Sequence, residues 1–233
     1  MVYVQAFLGR MRTCIIIPTY NEAKTIGSIV APLREQGYEV VVIDDGSRDT
    51  TAQNARQQGA TVLANRVNQG KGASLIKGFR YALENGYEAV ITMDGDGQHL
   101  PEDAAYFIRL AEHSQSDVLI GNRMSRTSKM PVLRILTNLF MSWLLSVFAG
   151  QRIPDTQCGL RLIKKAVLER VRLTTTKFET DSELLIQAAR LGFKIESVPI
   201  KAIYAGEKSQ INPIIDTLRF IRFMARQLWT SRN

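Results

Sequence analysis

Ala89-Val90-Ile91-Thr92-Met93-Asp94-Gly95-Asp96-Gly97-Gln98-His99-Leu100-Pro101 is the stretch on which the reading of the fold turns. Its first five residues are rich in apolar and β-branched side chains, the pattern of a buried strand, and the run stops at two carboxylates separated by one glycine. The acidic pair therefore stands at a strand's carboxyl end, the edge where open α/β sheets bind ligands. Oxygens at i and i+2 can turn toward one point, which is enough for a hard divalent cation when phosphates and water complete its shell. Gln98 is placed to extend that shell. The same residues also read as a plain polar turn ahead of a helix starting at Pro101, since Asp and Gly are ordinary turn formers.

Outward from this stretch the signal recurs. Thr13-Cys14-Ile15-Ile16-Ile17-Pro18 is a short apolar run closed by a proline, and Thr19-Tyr20-Asn21-Glu22 is its polar loop. Thr25 can cap a helix to about Gln36, with Gly37 placed to end it. Glu39-Val40-Val41-Val42-Ile43 is a second strand, and it too delivers acids, Asp44 and Asp45, to its carboxyl end. A helix over about 49–58 and a strand over 61–64 follow, and the loop from Asn65 to Gly72 opens another helix. That loop lacks the Ser or Thr after Gly-Lys that a P-loop needs, and Leu75 stands where a dinucleotide fingerprint needs its third glycine. Lys71 remains as one cation at a helix N-terminus, suited to an anion or simply solvated.

Downstream, Pro101 to about His113 reads as a helix, and Asp117-Val118-Leu119-Ile120-Gly121 as a strand ending in Asn122-Arg123. Strand and helix alternating over 13–122 predict right-handed crossovers and a mostly parallel central sheet flanked by helices.

With 233 residues the chain suits one α/β domain. Its net charge of +8 and pI near 9.7 call for an anionic partner: a nucleic acid, a phospholipid surface or a phosphorylated substrate. No helix-turn-helix, zinc-finger or aromatic RNA-binding signature supports the first. Cys14 and Cys158 form no disulfide framework or metal spacing and are expected reduced. Residues 1–11 read as an N-terminal extension without the features of a signal peptide.

Beyond Arg123 the pattern changes. Arg126, Lys129 and Arg134 lead into an apolar run over 135–150, slightly short of a comfortable membrane span, in which Asn138, Ser142 and Ser146 mark one helical face. A buried core helix and an interfacial helix with a basic entrance both fit. A helix over 180–191 opens among Glu179, Asp181 and Glu183, and 193–200 alternates as a half-buried strand. Residues 213–233 read as a basic amphipathic C-terminal helix, with Ile214, Leu218, Ile221, Met224 and Leu228 on one side and Arg219, Arg222 and Arg226 on or near the other, packed on its own domain or docked on a membrane.

Ile17-Pro18-Thr19-Tyr20-Asn21-Glu22, Val42-Ile43-Asp44-Asp45-Gly46-Ser47, Asn68-Gln69-Gly70-Lys71-Gly72 and Met93-Asp94-Gly95-Asp96-Gly97-Gln98-His99 occur in the order seen in family 2 inverting glycosyltransferases. The chain most resembles the dolichyl-phosphate or polyprenyl-phosphate mannose and glucose synthases, over about residues 12–212. The resemblance implies a GT-A type α/β domain, with amphipathic helices in the C-terminal half, that moves a hexose from a GDP- or UDP-sugar to a polyprenyl phosphate with Mg2+ or Mn2+.

It also implies roles. Pro18, Tyr20, Glu22 and Asp45, with Asp44 beside them, match positions that hold the donor's nucleoside. Asp94, Asp96 and Gln98 match the metal and diphosphate site, and Arg161 a basic residue near the diphosphate, where Lys71 can add charge. Arg123 and Arg134 match basic positions that receive the lipid phosphate. Asn138 stands where a serine is common, and Gly206-Glu207-Lys208-Ser209 departs from the family's Gly-x-Ser-Lys pattern. A phosphate acceptor needs positioning more than deprotonation, whereas a hydroxyl acceptor, the alternative, needs a base, for which Asp181 or Glu183 is the candidate. The expected place is the cytoplasmic face of a membrane, held peripherally on an anionic surface or through a membrane-protein partner.

Overall fold

The computed structural model describes residues 11–125, 130, 132–201, 220 and 222–224. Most of the N-terminal extension, Arg126, Lys129, Ser209 and most of the 213–233 unit lie outside the described residues.

Strands β1 (Thr13–Thr19), β2 (Glu39–Asp44), β3 (Thr61–Ala64) and β4 (Ala89–Thr92) alternate with helices α1 (Ile26–Glu35), α2 (Thr51–Gln57) and α3 (Lys71–Glu84). Then come α4 (Pro101–His113), β5 (Val118–Asn122), α5 (Val132–Ala149), β6 (Arg161–Lys164), α6 (Lys165–Arg170), α7 (Glu179–Arg190) and β7 (Ile195–Pro199). The seven strands form one sheet in the order β3-β2-β1-β4-β6-β5-β7. Ile15, Ile16, Ile17, Val40, Val41, Val42, Val90 and Ile91 are buried at its centre, as continuous apolar strands covered on both faces must be.

The sheet is mostly parallel, as expected, but the sequence reading missed β6 and α6. β6 runs antiparallel to both β4 and β5, with Thr92 opposite Arg161. All other strands share one direction. The carboxyl ends of β1, β2, β4 and β5 therefore meet on one edge together with the amino end of β6, which is how Arg161 reaches the neighbourhood of Asp94.

α5 resolves the choice left open for its apolar run in an unexpected way. Its polar face points inward: Asn138 and Ser142 are buried beside Met141 and Leu145. Leu136, Leu139, Phe140, Trp143 and Val147 are exposed. By length and composition, α5 is apolar enough to cross a membrane, with 28% of its residues buried. Within the C-terminal unit, Phe220, Phe223 and Met224 pack into the core while Arg222 is exposed.

Candidate functional site

The loop after β1 and the loop after β2 are laced together before any ligand is considered. Asn21, held at φ +57°, receives Arg48 N–H on its Oδ1 at 2.8 Å and donates its own N–H to Ser47 Oγ at 2.9 Å. Glu22 N–H donates to Thr51 Oγ1 at 2.8 Å. Thr25 Oγ1 donates to the Gly95 carbonyl at 2.6 Å, tying this wall to the acidic turn after β4. Pro18, Tyr20 and Glu22 are half-buried along the wall.

Asp45 has a different job from its neighbours. It is buried and takes Gln69 N–H (2.9 Å), Asn65 Nδ2 (2.9 Å) and Gly70 N–H (2.7 Å), so its carboxylate organises the loop that launches α3. Asp44, also buried, accepts Ser47 N–H at 3.2 Å. Gly70, at φ +103°, can be nothing larger, because a Cβ there would stand 2.5 Å from the Thr176 carbonyl. The result is that Lys71, the first residue of α3, is delivered to Asp94.

Lys71 Nζ lies 2.7 Å from Asp94 Oδ1 and 3.0 Å from Asp181 Oδ2. Arg161 Nη1 lies 3.0 Å from the other oxygen of Asp181. His99 is buried, with Nε2 3.8 Å from Asp94 Oδ2. Gly159 backs the Asp94 carboxylate so closely that a Cβ at that position would overlap it. Thr92 Oγ1 holds the Gly159 carbonyl at 2.8 Å.

These contacts set the charges. Burial would raise the Asp94 carboxyl, but the Lys71 ammonium and then His99 hold it well below the usual carboxylate range. Burial likewise works against the Lys71 charge, and Asp181 and Asp94 outweigh it, so the ammonium is held above the ordinary lysine range. Asp96 goes the other way: burial and the neighbouring Asp94 charge push it up. Gln98 contributes its backbone N–H to Asp96 Oδ1 at 3.0 Å.

The described residues offer no group of three or more His, Cys, Asp or Glu that could cage a metal. What they offer is a carboxylate pair, one member already carrying a cation, in a place kept clear by Gly159. That donor set suits Mg2+ or Mn2+, which accept one or two carboxylates when phosphate oxygens and water supply the rest.

Arg123, expected at the lipid phosphate, and Arg161, expected near the donor diphosphate, both have partners within the chain. Arg123 is buried and forks onto Asp155, Nε to Oδ2 at 2.8 Å and Nη2 to Oδ1 at 2.9 Å, while its N–H also donates to Asp155. Asn138 Nδ2 completes Asp155 Oδ1 at 2.9 Å, and Ser142 bridges Asn138 to Thr156. Arg123 thus supports the joint between β5 and α5. Arg161, 2% exposed, spends Nε on the Cys158 carbonyl, Nη2 on the Thr156 carbonyl and Nη1 on Asp181. Its influence reaches the acidic turn through Asp181. Arg134 lies half-buried in the first turn of α5.

The two candidate bases also have partners. Asp181 carries a cation on each oxygen. Glu183 is buried and takes the N–H and hydroxyl groups of Thr174 and Thr175, tying down the segment before α7. His99 and Gly159 were missed as site residues from sequence. Their signal was adjacency to motifs already singled out, but only the fold brings them against Asp94.

A mostly parallel sheet thus gathers an acidic pair and the Lys71 and Arg161 side chains at one edge, and comparison with known proteins says which family of enzymes shares that arrangement. The model of glycosyl transferase family 2 matches residues 14–172, and the chain belongs to that family. It is 31% identical to the UDP-N-acetylglucosamine–dolichyl-phosphate N-acetylglucosaminyltransferase of Methanococcus voltae, over 82% of this chain and 85% of the relative. It is 32% identical to the undecaprenyl-phosphate mannosyltransferase of Micrococcus luteus, over 82% and 83%. Among solved structures, glucosyl-3-phosphoglycerate synthase from Mycobacterium tuberculosis, in complex with Mn2+, UDP-glucose and phosphoglyceric acid, superposes with a TM-score of 0.73. That match has 19% identity and covers 96% of this chain and 80% of that one. The fold is that of the GT-A glycosyltransferases.

Proposed function

We propose that the chain transfers a hexose from a nucleotide sugar to a polyprenyl or dolichyl phosphate at a membrane surface, with inversion at the anomeric carbon. The observation that carries this reading is the occupied state of both candidate bases, Asp181 and Glu183. A hydroxyl acceptor calls for a base, and the two carboxylates expected in that role are engaged elsewhere. A phosphate monoester is already ionised near neutral pH and needs only to be held in line. The names of the dolichyl- and undecaprenyl-phosphate relatives support the same acceptor class.

Breaking the anomeric bond leaves negative charge on the diphosphate and oxocarbenium character on the sugar. Asp94 and Asp96 would hold a divalent cation, which would supply positive charge to the leaving diphosphate. Lys71 adds a positive charge beside the same oxygens, and Asp45 keeps Lys71 in place through the loop it organises. The wall formed by Pro18, Tyr20, Glu22 and Asp44 holds the nucleoside. Arg134, at the head of α5, receives the acceptor phosphate, since a guanidinium fork matches phosphate oxygens. The exposed apolar face of α5 rests on the lipid, and the net charge of +8 favours an anionic leaflet.

The test is transfer to a short-chain polyprenyl phosphate with UDP- and GDP-hexoses in turn, with Mn2+. Asp96→Asn is expected to lose transfer by about 100-fold or more, and Arg134→Ala to lose transfer to the lipid phosphate while keeping nucleotide binding. Full activity in Asp96→Asn sinks the proposal, as does transfer only to hydroxyl acceptors.

A further inference from the structure

Lys71 sits where a lysine is electrostatically out of place. It is the first residue of α3, at the positive end of the helix dipole, where a cation is disfavoured and an acid preferred. Its side chain is nevertheless mostly enclosed, 19% exposed, and it spans two carboxylates from different elements, Asp94 after β4 and Asp181 in α7. The loop is shaped to put it there: Asp45 fixes the Gly70 N–H, and α3 closes on α7 so tightly that a Cβ at Gly72 would overlap Thr180. That much construction around one ammonium implies a function for its charge.

The cluster holds three carboxylates (Asp94, Asp96 and Asp181) and two permanent cations (Lys71 and Arg161), leaving one negative charge. The two oxygens of Asp181 are divided between Arg161 and Lys71, so Lys71 stays tethered at one end even when it lets go of Asp94. Its flexible stem allows that change of partner. Asp96, by contrast, makes no ion pair among the described residues.

We propose that Lys71 is a resident counter-ion of the acidic turn. It competes with a bare divalent cation for Asp94 and yields that carboxylate only when a diphosphate arrives to take the ammonium as its new partner. The site then admits the metal together with the nucleotide rather than ahead of it. This rests on the nucleotide-sugar reading above and goes beyond it: the same charge that weakens the metal alone strengthens the metal and diphosphate together. A merely structural lysine has no such opposed effect.

The experiment is calorimetric titration of the full chain with Mn2+ alone, and with UDP and GDP in the presence of Mn2+. The wild type is compared with Lys71→Gln, Lys71→Met and Lys71→Arg. Removing the charge is expected to tighten Mn2+ alone by about tenfold and to weaken the nucleotide in the presence of Mn2+ by about tenfold or more. Lys71→Met keeps the stem's packing and serves where Lys71→Gln folds poorly, as judged by circular dichroism. Lys71→Arg keeps the charge and should leave Mn2+ affinity within about twofold of wild type. Unchanged or weaker Mn2+ binding in both neutral variants overturns the counter-ion role while leaving the nucleotide-sugar reading intact. Failure of the wild type to bind either nucleotide overturns that reading and this inference with it.

Discussion

α4 and α5 pack into the same core and face it with opposite chemistry. α4 buries Ala104, Phe107, Ile108 and Ala111 and turns Glu102, Arg109, Glu112 and His113 to water. α5 buries Asn138 and Ser142 and turns Leu136, Leu139, Phe140, Trp143 and Val147 outward. Both are amphipathic, and periodicity alone cannot say which face a helix presents to its own domain. The difference lies in what waits on the inside. α4 meets an apolar sheet, whereas α5 meets Asp155, Thr156 and the Ile153 backbone, which pair with Asn138, Ser142 and Ser146.

That contrast can be broken at its strongest points. Asp155→Ala leaves the Arg123 guanidinium buried without its carboxylate and is expected to cost about 3–5 kcal/mol, measured by urea unfolding. Phe107→Ala, the matching change beneath α4, should cost about as much by leaving a cavity. The two differ in pH dependence. Burial pushes the Asp155 carboxyl up, but Arg123 outweighs it and holds it below the ordinary aspartate range. Its contribution is therefore fully present above its unfolded value near ~3.9 and is lost as pH falls through its lower folded value. The acid limb of the stability curve should flatten in the Asp155 variant and stay unchanged in the Phe107 variant.

A smaller effect sharpens the picture. Asn138→Leu makes the inner face of α5 resemble that of α4, yet it should destabilise by about 1–3 kcal/mol, because Asp155 and Ser142 lose a partner. The smallest change in stability is expected on the outside. Trp143→Ser should lie within about 0.5 kcal/mol of wild type in unfolding, since the side chain is exposed. The same substitution should weaken sedimentation with anionic vesicles by several-fold. If Trp143→Ser unfolds the protein instead, the outer face of α5 packs against the chain itself.

The N-terminal half was legible because each strand carries its own apolar run and hands polar residues to the same edge, as at Asp44 and Asp94. The short β6 was not. Arg161 opens it with a charge, and the arginine is tolerated inside because Cys158, Thr156 and Asp181 give each of its three nitrogens a partner. The arginines show the same limit at the site. The family resemblance puts Arg123 at the lipid phosphate and Arg161 near the diphosphate, but what each guanidinium pairs with depends on Asp155 and Asp181, 32 and 20 positions away. Lys71 was visible as a cation on a loop, whereas its two carboxylate partners become neighbours only through the packing of α3 against α7.

The insertion of β6 between β4 and β5 bears on the order in which the chain assembles. β1 to β4 pair among themselves and can close once the chain has reached residue 92. Among the described strands β5 pairs with β6 and β7, both downstream of it, so a chain growing from its amino end carries β5 unpartnered until residues 161–164 emerge. Over that interval β4 is an open, apolar sheet edge of the kind that templates aggregation. The ionic cluster around Lys71 is completed later still: Lys71 precedes the acidic turn in the chain, but Arg161 arrives only with β6, and Asp181, which shares the Lys71 ammonium with Asp94, only with α7.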